Sequence, residues 1–396
     1  MARCIRMLLL SCLMTLLLTS CWSSQEIENL ALYSGLALDV GEPAPIEKEF
    51  EAKGATYPKQ NKVMATVQIV PVKTIGTNSQ KQQDQKKPYI NISGSGDSIL
   101  EIFRQFSIRL DQPIIGHHLK VIVVSAELLK QQPIGNVMDF LLRDNDIRPS
   151  TMVFVSQGSA KATMESNIAS EVPSFHIMGM LRNRSRTSKV LKPVTLSRLD
   201  SLIYSERSFM LQNLVTGGEE VELSGAGIIK GSSGKWIGTL NQTDTQCLAW
   251  IRNEGTAGTI KVNEGNNNVI TYELEDMKSK VTPKVDGDDI SFHVELSTEG
   301  RIIEVWNDQA PSSSHLNEEE VSQLIKKQLK DMTEESIRKL QKKYQTDVAG
   351  FGNRLAIKYP SVWRKVKDRW DEVFSDSEVT FSYELQITDF GSFIED

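Results

Sequence analysis

The stretch that most constrains the fold runs from Val121 to residue 156. VIVVS (Val121–Ser125) is an apolar run of strand length, and TMVFVSQG supplies a second strand at residues 151–156. Between them, AELLKQ and IGNVMDFLLRD read as two helical pieces. Strand, helix and strand in so short a span form a βαβ unit: two parallel strands joined by a right-handed crossover.

The elements on either side fit around that unit. Asp97 or Ser98 can cap a helix whose Ile99, Ile102, Phe103, Phe106 and Leu110 recur at helical spacing. In KVMATVQIVPV, Val63, Ala65, Val67 and Ile69 share one parity, which predicts a strand. Glu26 to Leu32, followed by LALYSGLALDV, read as a short polar turn or helix that enters a strand through Gly35. Residues 73–88, rich in Gln and Lys, have little to bury and read as an exposed loop. The basic run RNRSRTSK is expected to be a solvated loop.

From residue 219 the pattern is strand-rich. VELSGAGIIKG and KWIGTL flank a hairpin turn at Ser232-Ser233-Gly234, and a short helix covers residues 243–251. At least three more strands follow, with Phe292, Val294 and Leu296 on one buried face. After Asn317 the period turns helical: Val321, Leu324, Ile325, Leu329, Met332, Ser336, Ile337, Leu340 and Tyr344 trace one stripe. SVWRKVKDRWDEVF predicts a further helix with Trp363, Val366, Trp370 and Val373 inward, and a strand over residues 379–387 ends the chain. The predicted class is α+β, or mixed α/β: several mixed sheets with packed helices in more than one domain. The expected division is residues 1–20 as a signal peptide, 21–190 as an N-terminal α/β region of one or two subdomains, 191–216 as a linker, and 217–396 as a C-terminal α/β domain.

The first residues, MARCIRMLLLSCLMTLLLTSC, set the expected compartment. Arg3 and Arg6 precede an apolar run from Met7 to Leu18, shorter than the roughly 20 residues that span a bilayer. Leu18-Thr19-Ser20-Cys21 is similar to a bacterial lipobox, in which a diacylglyceryl group is attached to the Cys21 thiol and the chain is cut before it. Two acyl chains suffice for stable anchoring. The chain carries 45 Lys and Arg against 51 Asp and Glu; loss of Arg3 and Arg6 leaves 43 against 51, a net charge of −8. An acidic body argues against nucleic acid and against added adhesion to anionic lipid. Cys4 and Cys12 leave with the signal and Cys21 takes lipid, so Cys247 has no intramolecular disulfide partner and reads as a small buried hydrophobe.

No catalytic signature is present: HExxH, CxxC and GxSxG are missing, KGSSGK sits in a hairpin rather than before a helix, and Gly94-Ser95-Gly96 lacks the third glycine of a dinucleotide loop. No cofactor, metal or catalytic residue is expected. His117 and His118 point to opposite sides of an extended chain and would not share an ion, so His118 is expected to be structural, at the head of the Val121 strand. RDNDIRP packs Arg143, Asp144, Asp146 and Arg148 into a tight turn, which reads either as local salt bridges with Asx capping or as a partner-contact surface that His118 would join.

Four stretches carry a family resemblance: CWSSQEIENLALYSGLALD; GHHLKVIVVSAELLKQQPI with LLRDNDIRPSTMVFVSQGSA; AGIIKGSSGKWIGTLNQTDTQCLAWI; and DVAGFGNRLAIKYPSVWRKVKDRWDEVF. In this order the chain resembles the Ger(x)C spore germination lipoproteins, the C subunits of nutrient germinant receptors. The resemblance implies a non-catalytic subunit of mixed α/β build, held by its lipid on the outer face of the inner spore membrane beside two integral membrane subunits, A and B. Of its residues only Cys21 then has a defined chemical role. The alternative is an extracytoplasmic solute-binding lipoprotein of a transporter, which would show two lobes of repeated βα units and a ligand cleft between them.

Overall fold

The computed structural model describes residues 30–55, 57–71, 87–168, 170–218, 220–264, 268–306 and 318–389. Cys21, His315 and nearly all of the 73–88 stretch lie outside them. Its elements in chain order are β1 (Ala31–Val40), α1 (Pro45–Ala52), β2 (Val63–Ile69), β3 (Ile90–Gly96), α2 (Ile99–Phe106), β4 (Ile114–Ile115), β5 (Val121–Ser125), α3 (Ala126–Gln131), α4 (Ile134–Arg143) and β6 (Met152–Ser156). There follow α5 (Pro173–Met180), β7 (Val194–Thr195), α6 (Leu196–Tyr204), β8 (Phe209–Gly217), β9 (Glu220–Ile229), β10 (Trp236–Leu240), α7 (Gln242–Ile251), β11 (Gly258–Glu264), β12 (Asn268–Asp286) and β13 (Asp289–Trp306). The last are α8 (Glu318–Arg338), α9 (Phe351–Lys358), α10 (Pro360–Val366), α11 (Trp370–Asp376) and β14 (Glu378–Asp389).

The βαβ unit is the centre of a large mixed sheet of order β10-β9-β8-β6-β5-β1-β2-β3. Val121 pairs with Met152 in parallel register, and β1 and β8 extend the parallel block on either side. Antiparallel hairpins finish both edges. Alternate residues of the parallel strands serve two cores. Leu36, Leu38, Ile122, Val124 and Val153 face α2, α3, α4 and α6. Ala37, Val121, Val123 and Phe154 face the segment that holds Met164 and Ile177. Ser98 caps α2 as its position predicts, accepting from the Glu101 N–H at 3.2 Å.

INISGSG forms β3, a strand that its glycines hide from a propensity reading. Gly94 is required by packing: a Cβ there would lie 2.8 Å from Phe106 and 3.2 Å from Ile102 of α2. The stretch 191–216, expected to link two domains, holds β7, α6 and β8, with Phe209 to Leu214 buried in the large sheet. β9 and β10 complete that sheet from beyond residue 217.

A second sheet, β11-β12-β13-β14, has long antiparallel β12 and β13, while β14 returns parallel to β13. The helical stripe buries Val321, Ile325, Leu329, Ile337 and Leu340, the last in a π-helical turn that continues α8 to Tyr344. Each such aliphatic side chain contributes about 1.5–3 kcal/mol relative to an exposed one. SVWRKVKDRWDEVF is two helices rather than one, separated by a 3₁₀ turn at Lys367–Arg369. Turning the chain there puts Trp370 and Phe374 against Phe292 and Phe351, with the Trp370 and Phe292 rings 6.1 Å apart. This core also takes in Met210, Ala226, Ile228 and Leu240 of the large sheet and the fully buried Cys247 and Trp250 of α7, so the two sheets share one apolar body. Burial pushes the Cys247 thiol up to about 12, as suits a packing residue rather than a nucleophile.

Candidate functional site

Two places gather residues that can meet a partner. The first unites the GHHLK and RDNDIRP stretches. Each leads into a parallel strand, so adjacent β5 and β6 bring both to the same end of the sheet. Gly116 lets them close up: a Cβ there would sit 2.9 Å from both the Tyr33 hydroxyl and Ile147. An Asx turn shapes the loop, the Asp146 N–H donating to Asp144 Oδ1 at 2.9 Å. Asp146 faces His117, with Nε2 3.8 Å from Oδ1. His118 is half-buried, and burial with the nearby charges of Lys120, Arg148 and His117 holds its pKa below the ordinary value. Burial, with the fields of Asp144 and Asp146 added, raises that of Tyr33. Asp146 and Arg148 are exposed. Arg143 is apart from this group in its bonding, paired to Asp139 one turn earlier on α4 at 2.9 Å. Elsewhere His176 pairs with Glu171, and His293 bonds Thr380 and Ser382 at 2.9 and 3.0 Å.

The second place is a groove of about 1720 Å³ between α6 and the start of β8 on one side and α9 to α11 on the other. Its floor is held by contacts between distant segments. Thr346 donates to Asp371 at 3.0 Å and accepts from the Ser208 hydroxyl at 2.7 Å, and Lys230 lies 3.5 Å from Asp371. The Arg207 guanidinium stands 5.1 Å from the centre of the Trp363 ring, within cation–π range. Beneath it, Asp347 accepts from the N–H groups of Ala349, Gly350, Phe351 and Gly352 and from the Trp370 indole. Gly350 has φ +87°, which suits a residue without a side chain. The groove is invisible in the sequence because its walls come from residues about 150 apart. Its one local signal is DVAGFG, an Asx-type carboxylate followed by two glycines.

Comparison with known proteins agrees with this architecture. Residues 23–216 match the model of the spore germination protein N-terminal domain, and residues 224–391 that of the spore germination B3/GerAC-like C-terminal domain. Spore germination protein YndF of Bacillus subtilis (strain 168) is 37% identical over 387 residues, 96% of this chain and 95% of that protein. The chain belongs to the spore germination B3/GerAC-like family. Two further family members from the same organism, spore germination proteins B3 and A3, are 27% and 26% identical, each match covering 96% of both chains. The crystal structure of the GerBC protein shares the fold, with a TM-score of 0.60, 23% identity, and coverage of 84% of this chain and 96% of that one. Both family models begin after Cys21 and meet within the large sheet, between β8 and β9. Among the described residues no helix is long and apolar enough to cross a membrane.

Proposed function

We propose that this chain is a non-catalytic subunit of a spore nutrient germinant receptor, tethered by a diacylglyceryl group on Cys21 to the extracytoplasmic face of the inner spore membrane. Membership of the spore germination family along nearly the whole chain carries this reading. The lipobox-like LTSC before Cys21 supports the tether, and the acidic, two-sheet body supports scaffolding or signalling beside integral membrane A and B subunits. Tethering raises the local concentration of the body near such partners, so modest contacts suffice for docking. The groove beside Arg207 and Trp363 is the favoured docking surface, since Arg and Trp dominate the energetic centres of protein interfaces. The surface formed by His118, Asp146 and Arg148, with Arg143 and Asp144 at its margin, is the second.

The test is recovery of the tagged full chain from spore membranes in detergent, with mass spectrometry of the co-purifying proteins and of the chain's own N-terminal peptide. Two integral membrane subunits in comparable yield, with a lipid mass on Cys21, are expected. Recovery with an ATP-driven permease, or saturable binding of a small solute by the isolated chain, would replace this reading with solute capture for a transporter.

A further inference from the structure

The α9–α10 corner departs sharply from the charge of the rest of the chain. From Phe351 through the turn at Lys367–Arg369 the sequence holds Arg354, Lys358, Arg364, Lys365, Lys367 and Arg369 against Asp368 alone, a net charge of +5 in a chain of net −6. All but Arg354 are exposed. Among the described residues the only ion pair these cations make is Lys367 with Asp368, at 3.8 Å and solvent-exposed on both sides. Lys358 also donates to the Pro283 carbonyl at 3.2 Å and stands over the Tyr359 ring. Ile357 protrudes among them at 77% exposure, and Tyr359 and Trp363 are half-buried. Ile357, Lys367 and Arg369 also line the groove, whose other acids are Glu206, Glu254, Asp347, Asp371, Glu372 and Asp376. Asp371 is already turned toward Thr346 and Lys230.

We propose that this corner is a second membrane contact, lying against the headgroups of an anionic bilayer with Ile357 entering the interface. Five exposed cations without buried counter-charges match a dense layer of phosphates, and a protruding aliphatic side chain with nearby aromatic rings suits the headgroup depth. The α9–α10 face thereby overrides locally the repulsion expected from the acidic body. The inference deepens the membrane reading above and rests on it for the nearness of the bilayer. Such a contact fixes the orientation of the body relative to the membrane, which a lipid on a single N-terminal residue does not.

The experiment is amine acylation of the full chain in vesicles of phosphatidylglycerol or of phosphatidylcholine, with Lys53 and Lys330 as exposed references. On phosphatidylglycerol, labelling of Lys358, Lys365 and Lys367 is expected to fall about fivefold or more relative to phosphatidylcholine, with recovery in high salt. Arg364→Gln with Lys365→Gln, both solvent-facing, should abolish the protection of Lys358 without altering thermal unfolding. Equal labelling in the two lipids overturns the proposal. So does protection by added poly-glutamate with no effect of phosphatidylglycerol, which would assign the corner to an acidic protein. The mass of the Cys21 peptide reports the anchor separately, so a lipidated chain without a footprint removes this contact and leaves the receptor reading intact.

Discussion

Trp370 donates its indole N–H to Asp347 across 2.9 Å, and the same carboxylate caps four successive backbone N–H groups at the start of α9. One side chain therefore fixes both the sharp exit from α8 and the placement of α11 that closes the C-terminal core. Asp347→Ala leaves several buried donors unmet, each costing about 1–3 kcal/mol, so a loss of about 3 kcal/mol or more is expected. Trp370→Phe removes only one of those bonds and should cost less. Denaturant unfolding of both variants checks the order, and an Asp347→Ala protein as stable as its parent would show that water replaces the cap.

The Gly116 contact predicts a local overpacking defect. Gly116→Ala places a methyl group 2.9 Å from the Tyr33 hydroxyl and from Ile147, and a full core has no room to absorb it. The expected loss is about 1–3 kcal/mol in thermal or denaturant unfolding. Gly158, whose added Cβ would meet nothing within 4 Å, is the control, and Gly158→Ala should change stability little. Equal effects at the two positions would refute the packing argument.

These contacts also show what the sequence could and could not disclose. The βαβ unit, the Ser98 cap and the α8 stripe depend on neighbours within one element or one crossover, and local pattern suffices for them. The convergence of GHHLK with RDNDIRP needs only the parallel pairing of β5 and β6, so it was within reach of the same reasoning. β3 was hidden because Gly94 and Gly96 lower strand propensity, and their reason, the close approach of Phe106 and Ile102, belongs to the packed state. The division at Lys367–Arg369 was hidden for a related cause. Trp363, Val366, Trp370 and Val373 keep helical spacing through the turn, and only the position of Asp347 and Phe292 shows why the chain must bend. The groove depends on strand order across the whole molecule, which no local pattern contains.

His118 gives the first surface a dependence on pH. Its pKa lies below the ordinary 6.5 because burial and the cations Lys120 and Arg148 disfavour the charged form. The unfolded chain therefore binds this proton more readily than the folded one. The stability contribution is fully present above 6.5 and declines as pH falls toward the folded-state value. His118→Gln should flatten the stability profile between neutral and mildly acidic pH. An unchanged slope would show that His118 does not set acid sensitivity in that range; the depressed carboxyl of Glu47 acts only at lower pH, below its ordinary 4.5.

The two candidate docking surfaces make opposite predictions for partner recovery. Arg207 reaches over Trp363 at the groove and is exposed, so Arg207→Glu should cost only about 1 kcal/mol of folding stability. If the groove seats a membrane subunit, the same change adds a carboxylate to a groove already lined by Asp371 and Glu372 and removes an energetic centre, and recovery of that subunit should fall about tenfold or more. The double variant Asp146→Ala with Arg148→Ala disturbs exposed side chains of the first surface and should leave recovery within about twofold, in line with the small worth of exposed ion pairs. Both proteins are to be purified in the same detergent, with partner yield normalised to the tagged chain. Loss in the double variant with full recovery for Arg207→Glu would move the docking site to the His118 surface, at the entry to β5 and β6, and leave the groove without a role in assembly.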